Sequence, residues 1–435
     1  MRQQNLFNMN GLFELARLAK MDKDPTTQKR LYLLGRSNNR NVFNALVKEL
    51  RHKALIEKLD GYPFSPVSEE LMLSGIPSND RIQLGQVKKS AVPFVINLQD
   101  LAKHCVIFGG TGSGKTTWLM HMIKQCLEKN IRVFIFDTEK RDYRGIFKIY
   151  KEFLVFDLSK NFKFNVMQPP PGVSILQWII TLVQVFCKTH SLLNLSEALL
   201  IKEFKIIFQR YGSFDNSGVY PSLLDFYDQI TKRYIKGNSN VSRSRDSIVA
   251  RLDTYLETHA DVFDCSTGFP IQELFENNVV IDFGTFTEDQ KRFLSSILMY
   301  WIFLYRIAKG DKGKGLRNAI IMDEGKFFAP KVNNSSIAFS AISYLYDQFR
   351  AYGVGLCLAT HSPHYLEESV FVNSYHKVSL SLGTGEENTK IKRIFQMNDE
   401  QCDYLGGKLS VGEGIVHCPR FGGEPFVVQV PPFQP

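Results

Sequence analysis

Residues 109–116 read Gly-Gly-Thr-Gly-Ser-Gly-Lys-Thr and match G-x-x-x-x-G-K-[ST]. Glycines at this density let successive backbone N–H groups curl around a phosphate chain without Cβ clashes. Gly109, Gly110, Thr111, Gly112, Ser113, Gly114, Lys115, Thr116 and Thr117 are therefore the candidate phosphate cradle. Lys115 is expected to reach the β- and γ-phosphates of a nucleotide, and the Thr116 hydroxyl to ligate Mg2+. A second run, residues 318–324 (NAIIMDE), is an apolar segment ending in two acids. An Asp at such a strand end can hold Mg2+ through water, and an adjacent Glu can polarise the attacking water. Asp323 is assigned the first role and Glu324 the second, a pairing that suits hydrolysis better than simple nucleotide binding.

A phosphate cradle works only between a strand and the N-terminus of a helix. The apolar run 105–108 precedes the glycines, a helical pattern over 115–129 follows them, and a buried strand over 133–136 ends in Asp137. Strand, helix, strand in that order predicts a parallel sheet with helices on its faces. Further strands of the same kind are expected at 279–283, 319–322, 355–359 and 378–382. After Pro169-Pro170-Pro171-Gly172 the pattern turns helical, which reads as an insertion. Upstream, residues 81–87 and 92–98 form a hairpin pattern. Before that, Asp24-Pro25 opens a short helix closed by Gly35. A longer one over about 42–59 has Val42, Phe43, Leu46, Leu50 and Ile56 on one side. The expected fold is α/β with a mostly parallel sheet. It divides into a basic N-terminal helical segment and linker (1–80), a first core part (81–171), a helical insertion (172–275) and a second core part (276–435).

The chain of 435 residues is 44% hydrophobic and 22% charged, the balance of a soluble globular protein. That excludes a disordered chain, a collagen-like repeat and a disulfide miniprotein. The net charge is +9, and residues 1–60 hold twelve Lys or Arg against six acids, so they carry +6 of it. Such a surplus suggests a polyanionic partner. Lys232, Arg233, Lys236, Arg243 and Arg245 cluster around a polar turn and read as phosphate contacts or as a solvated face. The seven cysteines are scattered with no C-x-x-C pair, as expected of reduced thiols in a cytoplasmic protein without a zinc site. No apolar h-region opens the sequence. The apolar stretches 175–187 and 293–305 are 13 residues each, too short to span a bilayer, and no integral membrane segment is expected. No N-K-x-D motif points to a GTPase, and no LSGGQ-type signature precedes Asp323. Lys115 and Asp323 are 208 residues apart, a gap unusual for a small nucleotide kinase.

Residues 104–117 (HCVIFGGTGSGKTT), 319–324 (AIIMDE) and 350–363 (RAYGVGLCLATHSP) resemble the HerA/FtsK superfamily of ring-forming ATPases. That superfamily also contains the type IV secretion and conjugative coupling ATPases. The resemblance, over roughly residues 81–435, implies a RecA-like core, ATP and Mg2+ as cofactors, and a homo-oligomeric ring, a hexamer, translocating double-stranded DNA. In the family a strand reading roughly G-x-G-x-x-x-A-T-Q-x-P carries a polar residue that senses the γ-phosphate. This chain departs there, with His361 in place of Gln. Arg350 lies eleven residues before His361. In coupling members an arginine at a similar position reaches the neighbouring subunit's ATP; a solvated helix end is the equal alternative. Arg251 is a second candidate for that trans-acting role. Asp137 resembles a further acidic position that orients a switch, or it caps its strand. Residues 409–430 look like the family's closing hairpin. Well-studied HerA proteins begin with a β-barrel, where this chain has basic helices. Two other readings stay open: an energising ATPase of a secretion or conjugation machine, and an ATP-bound ring that scaffolds a nuclease or other effector protein.

Overall fold

Strands that are buried on both faces must be apolar along their whole length, and that is how the central strands of this chain read. The computed structural model describes residues 9–434 except 20, 37–38, 59–61, 139–141, 144, 161, 216, 236–238 and 332–340. Leu59 and Gly61 of the N-terminal reading and Lys236 of the basic cluster lie outside the described residues.

Eleven strands among the described residues form one sheet. They are β1 (Arg81–Val87), β2 (Pro93–Asn97), β3 (Cys105–Phe108), β4 (Arg132–Asp137), β5 (Phe153–Asp157), β6 (Asn278–Asp282), β7 (Asn318–Asp323), β8 (Val354–Thr360), β9 (His376–Ser379), β10 (Glu413–His417) and β11 (Phe426–Gln429). Their order is β2-β1-β11-β10-β9-β3-β8-β7-β4-β6-β5. From β9 to β5 every neighbouring pair is parallel, and β10, β11, β1 and β2 extend the β9 edge antiparallel. Consecutive strands β3 and β4 are therefore separated by β8 and β7. The helix Lys115–Glu128 crosses both, leaving a crevice at the carboxyl ends of β3, β8 and β7. Ligands of open α/β sheets bind in such crevices.

The sheet separates two apolar layers. Trp118, Leu119 and Met122 of the crossing helix pack on one face with Ile107, Ile135 and Ile321. On the other face lie Phe108, Phe134 and Met322, covered by the buried helix Glu288–Ala308, by Leu345, Tyr346 and Phe349 of the helix Ala341–Ala351 and by the insertion. The insertion consists of helices Ile175–Thr189, Asn194–Arg210, Leu223–Lys232, Asn240–Phe263 and Ile271–Glu276. Ser174, Ser222 and Ser239 cap three of them, Ser222 in a reciprocal box with Asp225.

Near the N-terminus, Pro25–Arg36 is helical, and Asp24 Oδ2 accepts from Thr27 N at 2.7 Å, the cap its Asp-Pro start predicts, but the helix runs through Gly35 rather than closing there. Helices Met9–Leu18 and Arg40–Lys58 complete a small core of Leu12, Ala16, Leu31, Leu34, Leu46 and Leu50. Val42 does not join Leu46 and Leu50 in it but is exposed, and the Ile56 side chain is outside the described set. The run expected as a strand at 378–382 pairs earlier, from His376 to Ser379, because β10 meets it there in register. Strand β5, at the far edge of the sheet, was absent from the sequence reading. Of the two 13-residue apolar stretches, 293–305 is buried in the helix Glu288–Ala308, whereas 175–187 lies in Ile175–Thr189 with Trp178, Ile179, Leu182 and Val183 buried and Leu176 and Ile180 exposed. No helix among the described residues is long and apolar enough to cross a membrane.

Candidate nucleotide site

The glycine run leaves β3 at the carboxyl edge of the sheet, stitched between two neighbours. Gly109 N donates to Thr360 O at the end of β8, and Gly110 N donates to Ser381 O beyond β9. Ser113 Oγ returns to Gly110 O at 2.8 Å and closes the turn. A Cβ on Gly109 would lie 2.4 Å from that hydroxyl, and Gly114 starts the helix at φ +105°, where a side chain would be strained. The cradle is thus shaped by residues that have no Cβ, and the first N–H groups of the helix point into it without intrahelical partners.

Lys115 is buried, and its ammonium donates to Gly109 O at 2.6 Å and Gly110 O at 3.0 Å. The same Nζ lies 3.0 Å from Nδ1 of His361, which follows β8. The opposite ring nitrogen, Nε2, lies 3.2 Å from Oε2 of Glu324, which follows β7. Three residues from three adjacent strand ends therefore form one polar chain, Lys115 to His361 to Glu324. Glu324 stands at φ +74°, a conformation rare for a residue with a Cβ, and this turns its side chain out of the strand's line. Such a backbone costs on the order of 1 kcal/mol and is held by its surroundings. Gly325 supplies part of that hold, because any Cβ there would meet Leu358 Cδ2 at 2.2 Å.

Asp323 ends β7 and is buried, with its carbonyl accepting from Thr138 Oγ1 at 2.9 Å. It belongs to a row that the sequence reading missed. Asp323, Asp137, Asp282 and Asp157 occupy matched register positions on β7, β4, β6 and β5. Three of them serve the backbone that follows. Asp137 Oδ2 accepts from Tyr143 N, Asp282 Oδ1 from Gly284 N, and Asp157 Oδ1 from Ser159 N. Asp137 is thus a strand-end cap in this structure. The signal for the row was present in the sequence, since each strand is an apolar run closed by Asp.

The other candidates lie elsewhere. Arg350 is exposed in the last turn of Ala341–Ala351, and its charge acts on His104, just before β3. That is the amino edge of the sheet, opposite the cradle. Arg251 is exposed on the insertion helix Asn240–Phe263. In the basic cluster Lys232 pairs with Asp228 at 2.6 Å, Arg233 with Glu203, and Arg245 with Asp246 at 2.7 Å, while Arg243 is exposed. Internal acids therefore neutralise much of that cluster.

For nucleotide and metal, the residues fit. Glycines leave the cradle open, the Thr116 hydroxyl sits half-buried at the helix start, and a buried carboxylate at Asp323 ends the next strand but one. The arrangement defines an α/β protein with a RecA-like P-loop NTPase core. Residues 82–302 match the family described as "Helicase HerA, central domain", and the chain belongs to that family. Among characterised proteins it resembles the DNA double-strand break repair helicase HerA of Saccharolobus solfataricus, 24% identical over 82% of this chain and 70% of that one. HerA of Sulfolobus acidocaldarius is 21% identical over 82% of this chain and 70% of its own. Among solved structures, VirB4 of Thermoanaerobacter pseudethanolicus superposes with a TM-score of 0.64 at 16% identity, covering 83% of this chain and 98% of that one. The bacterial conjugative coupling protein TrwB follows at 0.62 and 13%, covering 85% and 92%. At these identities the two structures speak for the fold.

Proposed function

We propose that the chain is an ATP-hydrolysing motor that assembles as a ring, a hexamer, and moves along double-stranded DNA. The observation that carries this reading is the chain from Lys115 through His361 to Glu324, built at the carboxyl edge where β3, β8 and β7 converge. A residue on each phosphate-facing strand is coupled to the next, which is what a site must do if it is to register a γ-phosphate and act on it. Family membership and the HerA relatives, named as DNA repair helicases, support DNA as the polymer.

In this reading Gly109 to Thr117 hold the phosphates of ATP through backbone N–H groups, and the Lys115 ammonium exchanges neutral carbonyls for phosphate oxygens, its stronger partners. Thr116 and Asp323 hold Mg2+, which when bound neutralises charge on the phosphate oxygens. Glu324 takes the proton of the attacking water. Once Lys115 turns to the phosphates, His361 Nδ1 is released to accept a hydrogen bond from water beside the γ-phosphate, while Nε2–H still donates to Glu324. TrwB has been solved with ADP and Mg2+, which supports the same ligands here.

The test is the ATPase rate with no polymer, duplex DNA, single-stranded DNA and RNA, with mass measured in solution. Duplex DNA should stimulate the rate most, with affinity falling steeply as salt rises because phosphate contacts release counterions. A rate indifferent to every nucleic acid would overturn the DNA reading and leave a protein-handling or scaffolding ATPase.

A further inference from the structure

A cavity of about 680 Å3 opens on the sheet face opposite the helix Lys115–Glu128. Helices Glu368–Asn373 and Gly385–Phe395 wall it, and β9 and β10 floor it. The floor presents Lys377 and His417, register partners on adjacent antiparallel strands, only 9% and 6% exposed. Neither ring nitrogen of His417 makes a hydrogen bond, and Lys377 makes no ion pair among the described residues. Two groups able to carry positive charge thus face one another at the bottom of a cavity, with no acid beside them. A buried cation without a partner is costly, and the neutral His417 ring beside it supplies no compensating charge. Burial and the Lys377 charge hold the His417 imidazole down to about 4, and burial lowers Lys377 as well.

The walls repeat the imbalance. Lys331, Lys390 and Arg393 line the cavity, and the Lys331 charge adds to burial in lowering Lys390. The acids of the lining, Glu368 and Glu386, are both exposed at the rim. Four Lys or Arg therefore stand against two carboxylates, and the deepest cation has none. Phe371, Val372 and Ile394 supply an apolar wall. The volume is that of an ordinary small-molecule site.

We propose that this cavity is a second ligand site, which binds a phosphomonoester of about nucleotide size, with its terminal phosphate on Lys377. A dianionic phosphate supplies the charge and the acceptor that Lys377 lacks, with the neutral His417 ring packed beside it. The organic part lies along Phe371 and Val372, and Lys390 and Arg393 close over it. A phosphodiester inside a continuous strand is flanked on both sides and does not reach a buried floor, whereas a chain end or a free nucleotide does. This site is separate from the P-loop, and the inference stands whether or not ATP hydrolysis is coupled to DNA.

Calorimetric titration of the full chain tests it, in a Lys115→Ala background that disables the P-loop. The probes are inorganic phosphate, AMP and adenosine, then one oligonucleotide with and without a 5′-phosphate. Phosphate and AMP should bind at one per chain, and adenosine at least tenfold more weakly. Lys377→Met should weaken AMP at least tenfold. Because that residue is buried, Lys390→Ala with Arg393→Ala at the surface is measured in parallel, and it should weaken AMP by a similar factor with unchanged melting. A 5′-phosphate-dependent gain matching AMP would make a polynucleotide end the source, and AMP binding alone a free nucleotide. No binding at millimolar AMP, or binding equal in all variants, overturns the proposal.

Discussion

His361 can satisfy both of its contacts only as a neutral ring, with Nδ1 accepting from the Lys115 ammonium and Nε2–H donating to Glu324. A glutamine could do the same, its amide oxygen accepting and its NH2 donating. His361→Gln should therefore keep most of the ATPase, whereas His361→Ala leaves Lys115 and the Glu324 carboxylate without that link. A hydrogen bond to a charged group is worth ~1.5–3 kcal/mol, so the alanine variant should lose roughly ten- to hundredfold in kcat. Steady-state rates decide it, and equal loss in both variants would mean that the imidazole does something an amide cannot. Glu324→Gln should bind ATP yet turn over ~100-fold more slowly or worse, since a missing general base costs about that much. A near-normal rate would remove Glu324 from the role. The cradle, Asp323 and Glu324 were legible in the sequence because each is a local pattern within eight residues. The link from Lys115 through His361 to Glu324 was not, because it joins positions hundreds of residues apart and depends on β3, β8 and β7 being neighbours.

The elements carry a pH dependence of their own. His104 precedes β3, His190 ends the helix Ile175–Thr189, His376 opens β9 and His417 closes β10; burial first of all holds each imidazole down to about 4. The folded chain therefore binds fewer protons than the unfolded chain between pH 4 and an ordinary imidazole value near 6.5. Stability from these groups is complete above about 6.5 and is lost as pH falls through that window. Urea midpoints should be level from pH 8 to 7 and fall from pH 6.5 to 5, where carboxylates are still ionised in both states. His376, with neither ring nitrogen hydrogen-bonded, gives the control: His376→Phe should lower the slope by about a quarter, one of four such groups. A slope unchanged by that variant would mean that His376 is not buried as described. The same strands show what the sequence could carry at this scale. The βαβ unit and β6, β7 and β8 were readable as apolar runs. β5 (FLVFD) was passed over, although it closes in Asp as β4 (RVFIFD) does. Sheet order is not a property of any run, so the placing of β9 and β10 at the floor of one cavity had no signal in either segment.

For the whole molecule, the position of Arg350 decides how a ring would have to work. It lies at the amino edge of the sheet beside His104, while its own P-loop lies at the carboxyl edge. Strand β8 separates it from His361 by seven residues of extended chain, and at 3.3 Å per residue that is about 20 Å. An arginine side chain spans about a third of that distance, so Arg350 cannot reach the phosphates of its own subunit. If it touches ATP at all, it touches a neighbour's, where it would neutralise charge developing on the γ-phosphate. Arg350→Ala should then bind ATP normally and hydrolyse it slowly. Mixing it with Glu324→Gln protein separates the two roles. Each variant alone should be nearly inactive. Mixed rings contain boundaries where an intact Glu324 meets a neighbour's intact Arg350, and those boundaries should recover measurable turnover. Co-assembly is checked by differently tagged subunits. Should co-assembled rings stay inactive, Arg350 has only its structural place at the helix end. Arg251, exposed on the insertion, then becomes the arginine to test in the same mixture.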